Sequence, residues 1–390
     1  MKHYDIVISG GAMAGSTLAL GLAHLDKQHR KIAIVESFEI SDSHPGFDAR
    51  CIALSHGTVN LLKKYQLWSE IEPHATAIER IHVSEQGRLA MTDIDAQQER
   101  VDALGHVVEL QVIGRLLRQR LDQCANIDFL CPNQIVGLDR HPDSLTLELD
   151  DGQQLVTSLL VAADGGQSKV AELCRLPADE EDFKQHAIIA NVSTDTPHAG
   201  CAFERFTPQG PIALLPMSEN RLSLVWCMPP DIAAQRLDLD NKAFLQQLQK
   251  EFGWRLGRFE QVGQRHCYPL VLKQRHAFTS HRVVCVGNAA QALHPIAGQG
   301  FNLGIRDVAS LIEELLSSED FGSASLLQRY QQRRIKDKQS TVGLTRNLVH
   351  LFSNDLPLMR LGRDIGLVAL DKLPGIKHPL LTLTLGRGDR

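Results

Sequence analysis

The sequence predicts a mixed α/β protein: a doubly covered parallel sheet, interrupted by a second and separate sheet, and helical toward its C-terminal end. Three observations predict it. The continuous apolar runs YDIVIS (4–9) and KIAIVE (31–36) flank helical periodicity over 14–25, the pattern of a βαβ unit with strands buried on both faces. Two runs of the same kind, SLLVAAD (158–164) and RVVCVG (282–287), return much later. Between them, residues 183–269 break into short strand-like pieces, HAIIANVS, CAFERFT, GPIALLPM, RLSLVWCM and QRHCYPL, with one helix near 241–252.

Taken in order, the βαβ unit gives way to a polar loop, SDSHPGFDAR (41–50), and then to helical periodicity over 55–72 and 112–124. Alternating segments at 128–139 and 144–150, joined through His141, Pro142 and Asp143, read as a meander. After the strand at 158–164 comes the inserted sheet. The parallel fold resumes at 282, a helix starts at about Gly300, and helices dominate from there on. A chain of 390 residues suits about two domains. We expect a discontinuous nucleotide-binding domain over 1–182 and 270–340, a β-sheet substrate domain over 183–269 that takes in parts of 75–110, and a helical region over 341–390.

Composition excludes whole classes of function. Hydrophobic content of 43% and charged content of 22% are those of a globular protein, and a net charge of -5 without a long basic run argues against a nucleic-acid partner. The eight cysteines form no C-x-x-C pair, which suits reduced thiols in a cytoplasmic protein and gives no metal-site spacing. The first strand begins too early to leave room for an export signal. No apolar run approaches the ~20 residues that span a bilayer.

The first turn, GGAMAG at 10–15, is a G-x-G-x-x-G dinucleotide fingerprint with one defect. Gly10 and Gly15 hold the positions for the tight turn and for close helix–strand packing, whereas Ala12, beside the extra Gly11, replaces the glycine that lets backbone approach a pyrophosphate. The helix start still offers free amides to a phosphate. Glu36, ending the second strand, stands where a carboxylate holds a ribose hydroxyl. Two distant stretches strengthen the reading. Asp164 and Gly165 follow a buried strand, and in VGNAAQALHPIAGQGFNLGIRD (286–307) another strand precedes a Pro/Gly loop that opens a helix. There Gly298 and Gly300 permit unusual backbone geometry, and the helix start favours a developing negative charge.

GGAMAG (10–15), FDAR (47–50), AADG (162–165) and HPIAGQGFNLGIRD (294–307) together resemble the group A FAD-dependent aromatic monooxygenases, which have the para-hydroxybenzoate hydroxylase-like fold, and within them the ubiquinone-biosynthesis hydroxylases. The resemblance spans essentially the whole chain. The wider class has Gly-Asp-Ala-Ala-His where this chain has GNAAQ (287–291). That departure, with HPGFDAR, ERFTPQGPIALLPMS, SLVWC and FGWRLG, is similar to the subgroup that hydroxylates a polyprenylated methoxyphenol at ring position C1.

The resemblance implies FAD as cofactor, NADH or NADPH as transient reductant, O2 as co-substrate, and oxygen transfer to a phenol ring through a flavin hydroperoxide. It implies that Gly10, Gly11, Ala12 and Gly15 line the pyrophosphate and that Glu36 meets the adenosine ribose. Arg50 and Arg115 would reach phosphate or ribityl oxygens, and Asp164, Gly165 and Asn288 the ribityl region. Pro295, Gly298, Gln299, Gly300, Phe301 and Asn302 would border the isoalloxazine. His294, Pro295 and Arg205 are the candidates for catalysis. Arg205 and Glu204, with Phe203, Phe206 and Trp226, either face the substrate or lie on two faces of one sheet, and alternation alone leaves that open. The apolar positions from Leu344 to Leu370 read as core, with a membrane or partner-binding face as the functional alternative. The expected location is cytoplasmic, with a peripheral contact to the inner membrane, a lipid carrier or a multiprotein ubiquinone-synthesis complex as the variants a prenylated substrate invites. The alternatives in function are hydroxylation at another ring position and a mainly structural subunit of such a complex.

Overall fold

The computed structural model describes residues 1–39, 48–88, 91–292, 299–352 and 385–386, with the side chains of Gln299 and of 344–352 left out. The chain opens with β1 (Lys2–Ser9), α1 (Met13–Leu25) and β2 (Ile32–Val35). Ile6, Val7 and Ile8 are all at most 1% exposed, so β1 is covered on both faces as its unbroken apolar run requires. Next come β3 (Cys51–Ser55), α2 (His56–Lys64), α3 (Trp68–Ile71), β4 (Ala75–Ile78), β5 (Arg80–Glu85), β6 (Met91–Asp95), β7 (Gly105–Glu109) and α4 (Leu110–Asp122). The single helix expected over 55–72 is two, separated where Gln66 takes a φ of 57°. The strands β3 to β7 carried too weak an alternation to be expected individually.

The chain continues through β8 (Ile127–Leu130), β9 (Ile135–Arg140), β10 (Leu145–Leu149), β11 (Gln154–Ala162) and α5 (Lys169–Leu173). The segment expected as one strand over 128–139 is divided at Pro132, which has no N–H for a ladder. β8 lies parallel to β2, whereas β9 pairs antiparallel with β10. After these come β12 (Asp179–Thr194), β13 (Cys201–Thr207), β14 (Gly210–Pro216), β15 (Arg221–Met228), α6 (Pro230–Leu237), α7 (Asn241–Phe252), β16 (Phe259–Val262) and β17 (His266–Gln274). The short α6 was not foreseen. The Asp240 side chain caps α7 by accepting from Ala243 N at 2.7 Å. The described chain then gives β18 (Thr279–Ser280), β19 (Val283–Cys285), β20 (Gln291–Ala292), α8 (Gln299–Leu316) and α9 (Ala324–Phe352). The boundary expected after residue 340 falls inside α9.

Three sheets result. In the first, β19, β11, β1, β2 and β8 run parallel side by side, with β18 antiparallel at the edge and the β9–β10 hairpin on β11. In the second, the order is β20-β17-β12-β15-β14-β13-β5-β6, with β16 also on β12. All its pairings are antiparallel except β13 with β5. The third is the small antiparallel set β3-β7-β4.

The two faces of the second sheet differ. One carries Phe203, Leu214, Leu224 and Trp226, which pack with Phe244, Leu248 and Phe252 of α7. The other faces the nucleotide-type half. From it Asn191 Nδ2 donates to Ala49 O at 2.7 Å, and the Arg221 guanidinium meets Glu109 at 2.6 Å. Ala202 and Leu215 of this face pack with Ile78, Leu104, Val107 and the buried Leu385.

Candidate active site

The site begins with the turn after β1. Gly10 has φ +99°, and a Cβ there would stand 2.5 Å from Ala163 O. A Cβ on Gly15 would collide with the Gly10 carbonyl oxygen. Both positions therefore demand glycine, one by conformation and approach, the other by approach alone. Ala12 is the N-cap of α1, exposed, at φ -72°, with no side chain capping the helix. An alanine is unstrained there. Gly11 N donates to Glu36 Oε2 at 2.6 Å, tying the acidic residue at the end of β2 to the same turn.

A second wall comes from β11. Gly10 approaches Ala163 and Asp164 directly. Asp164 Oδ2 accepts from Val170 N at 3.2 Å, while its Oδ1 is shut off from solvent and has no hydrogen-bond partner among the described residues. Burial pushes the Asp164 carboxyl above the usual range, partly offset by its hydrogen bonds from Ser168 and Val170. Gly165 has φ +88° and open space beyond it.

The third wall follows β19. Gly287 has φ +59°, and a Cβ built on it would lie 3.5 Å from the Ala14 methyl, so this turn meets the start of α1. Asn288 is exposed beside it. Gly287 N and Gln291 Nε2 both donate to Asp307 Oδ2, at 3.1 and 3.0 Å. Asp307 is fully buried on α8. Arg334 Nε of α9 donates to its Oδ1 at 2.7 Å, and the Lys338 ammonium lies 3.6 Å from Oδ2. Burial alone would raise the Asp307 carboxyl, but Lys338 and Arg334 hold it below the usual range. Burial in turn lowers Lys338 to about 8, against the pull of Asp307. The sequence reading missed this clasp: GNAAQ and GIRD were both singled out, yet nothing in their spacing pairs Gln291 with Asp307.

The α8 start is fixed from below. Asn302 Oδ1 accepts from Ser55 N and Thr58 Oγ1, both at 2.8 Å, and its Nδ2 donates to Ala53 O at 3.0 Å. Its side chain is committed to β3 and α2, so Asn302 is a strut of the site. Phe301 packs against the main core, and Gly300 is partly exposed beside it. His294, Pro295 and Gly298 lie outside the described residues, as does the Gln299 side chain.

Arg50 is exposed next to Ala49, at the junction with the second sheet, and Arg115 is exposed on α4, which packs beside α1. Arg205 requires a correction. It shares the α7 face of its sheet with Phe203 and Trp226, donating from Nε to Glu251 O at 3.0 Å and from Nη1 to Ser84 Oγ at 3.4 Å. Pairing of β13 with β14 turns Glu204 and Phe206 to the opposite face. Arg205 therefore has no route to the cleft.

Gly10, Asp164 and Gly287 thus converge at the carboxyl ends of adjacent parallel strands, where open α/β sheets take their ligands. Among the described residues, no group of three or more His, Cys, Asp or Glu side chains could hold a metal ion, and no helix is long and apolar enough to cross a membrane.

Comparison with known proteins agrees with this arrangement. The FAD binding domain family model matches residues 3–344. The chain is 34% identical to the ubiquinone hydroxylase UbiL of Rhodospirillum rubrum, over 99% of this chain and 91% of that protein. It is 32% identical to the 3-demethoxyubiquinol 3-hydroxylase of Escherichia coli, over 98% of each. The crystal structure of p-nitrophenol 4-monooxygenase PnpA from Pseudomonas putida superposes with a TM-score of 0.81 at 19% identity, covering 100% of both chains.

Proposed function

Because this chain belongs to the FAD-dependent aromatic monooxygenases and, within them, to the ubiquinone-biosynthesis hydroxylases, we propose that it adds the oxygen at ring position C1 of a polyprenylated methoxyphenol, with O2 and NADH or NADPH as co-substrates. The observation that carries the cofactor is the three-walled cradle with the unpartnered, solvent-shielded Asp164 Oδ1 at its centre. A buried acceptor without a donor is costly, and a hydroxyl of a bound ribityl chain supplies that donor. The ring position rests on GNAAQ, FDAR and the ERFTPQGPIALLPMS segment, which are similar to 2-octaprenyl-6-methoxyphenol hydroxylase.

Held by these residues, FAD would supply hydride acceptance from the nicotinamide and, with O2, an electrophilic oxygen for the ring. The chain's own residues do the positioning. The amides at the start of α1 and the bare turn at Gly10 would hold the pyrophosphate. Glu36, already bound to Gly11 N, would receive the ribose, and Arg50 and Arg115 would reach phosphate or ribityl oxygens. Asn288 and Gly165 would flank the ribityl chain, while the segment from Pro295 to Asn302 would border the ring system and its amides would face the charge that gathers on the reduced form. The Asp307 clasp ties Gly287 and Gln291 to α8. Val225, with Ala187, Cys227 and Leu270 on the cleft-facing side of the second sheet, would give the phenol an apolar ceiling that excludes water.

A second reading, hydroxylation at a neighbouring ring position, is favoured by the likeness to the 3-demethoxyubiquinol 3-hydroxylase. Mass spectrometry of quinone precursors in cells lacking the gene separates the two. Accumulation of a prenylated methoxyphenol without the C1 oxygen, relieved by the wild type but not by Gly300→Trp, is the expected result. A later precursor lacking another ring oxygen would move the assignment to the sibling reaction. Relief by Gly300→Trp would overturn the catalytic role.

A further inference from the structure

Near the middle of the cleft-facing side of the second sheet, an acidic residue stands in a largely apolar stretch. Pairing places Glu204 of β13 beside Ala213 of β14 and Val83 of β5, with Ala202 and Phe206 before and after it on the same face. Two apolar clusters flank it. One joins Ala202 and Leu215 to Ile78 and Val107 of the third sheet and to Leu104 just before β7. The other contains Ala187, Cys227 and Leu270, with Val225 and Phe183 against them. The Glu204 side chain retains some accessible surface, yet its Oε1 is solvent-shielded and has no hydrogen-bond partner among the described residues. Its neighbour Arg205 faces the other way and offers it no charge.

Resting on the reading of the substrate as a phenol, we propose that Glu204 receives the substrate's phenolic O–H, accepting first its hydrogen bond and then its proton, so that the ring is presented to the cofactor as phenolate. The O–H bond breaks heterolytically, the electron pair stays on oxygen, and the carboxylate becomes a carboxylic acid, with nothing oxidised or reduced. The negative oxygen pushes electron density onto the ring carbons ortho and para to it, where an electrophilic oxygen is taken up. After that transfer the ring carbon gives up its hydrogen as a proton to solvent, and the oxygen, now a carbonyl, takes the proton back from Glu204 as aromaticity returns.

The environment suits this task. Burial among apolar neighbours pushes the Glu204 carboxyl up to about 8, much nearer a phenol than an exposed glutamate is. The described titratable and charged groups that the strand register puts on the same face include the Cys227 thiol on β15, itself held neutral by burial, Glu85 further along β5, Arg221 at the start of β15, Glu181 on β12, and His266 and Tyr268 on β17. The Glu204 carboxylate fraction therefore grows as pH rises toward 8, and phenolate formation grows with it.

The test uses FAD-loaded protein and a methoxyphenol carrying a single short prenyl group. Two quantities are read: the ultraviolet difference band of phenolate on binding, and hydroxylated product per NAD(P)H consumed. Wild type should show the phenolate band at a pH below that of the free phenol, rising through about 8. Glu204→Gln should keep its FAD and bind the phenol, lose the band, and hydroxylate ~100-fold more slowly. Glu204→Asp should recover part of both signals, and Arg205→Lys, on the other face, should leave the band unchanged. A Glu204→Gln protein with the wild-type band and pH profile would overturn the proposal. A wild type that forms phenolate through Glu204 but hydroxylates no phenol would overturn the functional reading alone. Failure to bind any phenol would overturn both.

Discussion

Single residues decide whether the cradle exists. Gly10→Ala forces a side chain into a positive-φ position against Ala163, a backbone strain of about 1–3 kcal/mol before the collision is counted. It should lower Tm and leave purified protein without its flavin absorbance. Ala12→Gly should change FAD affinity by less than ~5-fold, the scale of a Gly-for-Ala entropy difference, because the backbone at Ala12 is already unstrained for an alanine. Titration of apoprotein with FAD checks both. Asp164→Asn separates affinity from stability. The wild-type carboxyl is raised in the folded state, so it destabilises ligand-free protein increasingly as pH climbs from about 4 through that raised value. The variant apoprotein should therefore melt higher at neutral pH, yet bind FAD more weakly. At this scale the sequence was informative wherever glycine was obligatory: Gly10 and Gly15 could be assigned from the motif because backbone approach needs them. Glu204 and Arg205 could not be told apart, because alternation gives two faces and only the partner strands say which one α7 covers.

Among elements, the α8–α9 pair is the support on which the flavin-side turn depends. Asp307→Asn leaves Arg334 and Lys338 buried without their shared carboxylate, a loss of about 3–5 kcal/mol by thermal or denaturant unfolding. Because the folded carboxyl is depressed, its contribution is present at neutral pH and disappears as pH falls below about 4, so acid should narrow the gap between wild type and variant. FAD affinity should fall with stability, since the one amide oxygen left cannot serve Gly287, Gln291 and Arg334 together. The parallel strands and α7 were legible from period and length. The β3–β7–β4 sheet was not, since its strands are short and half-buried, and their apolar positions are sorted by neighbours far along the chain. The expected run over 128–139 hid a proline at the point where one sheet ends and a hairpin begins.

For the whole molecule, the contact between the second sheet and the nucleotide-type half rests on few polar links. Arg221→Met removes the guanidinium that meets Glu109 and should cost about 3 kcal/mol, seen as a lower denaturant midpoint and a higher KM for the phenol with FAD content retained. That two sheets coexist in one chain was readable from the change of pattern near 183. That β5 and β6 leave the N-terminal part to complete the second sheet was not, because pairing of β13 with β5 is a long-range choice. Strand order also sets a schedule. β1 is made well before β11, yet it needs Thr157 and its neighbours there, and the cradle waits further for Gly287 and Asp307. β12 to β17 meanwhile close largely on one another. A nascent chain therefore has most of its floor before its roof and gains β19 and the α8 clasp only after both, and until β11 is made the edge of β1 that awaits it is the surface that must be kept from wrong partners during synthesis.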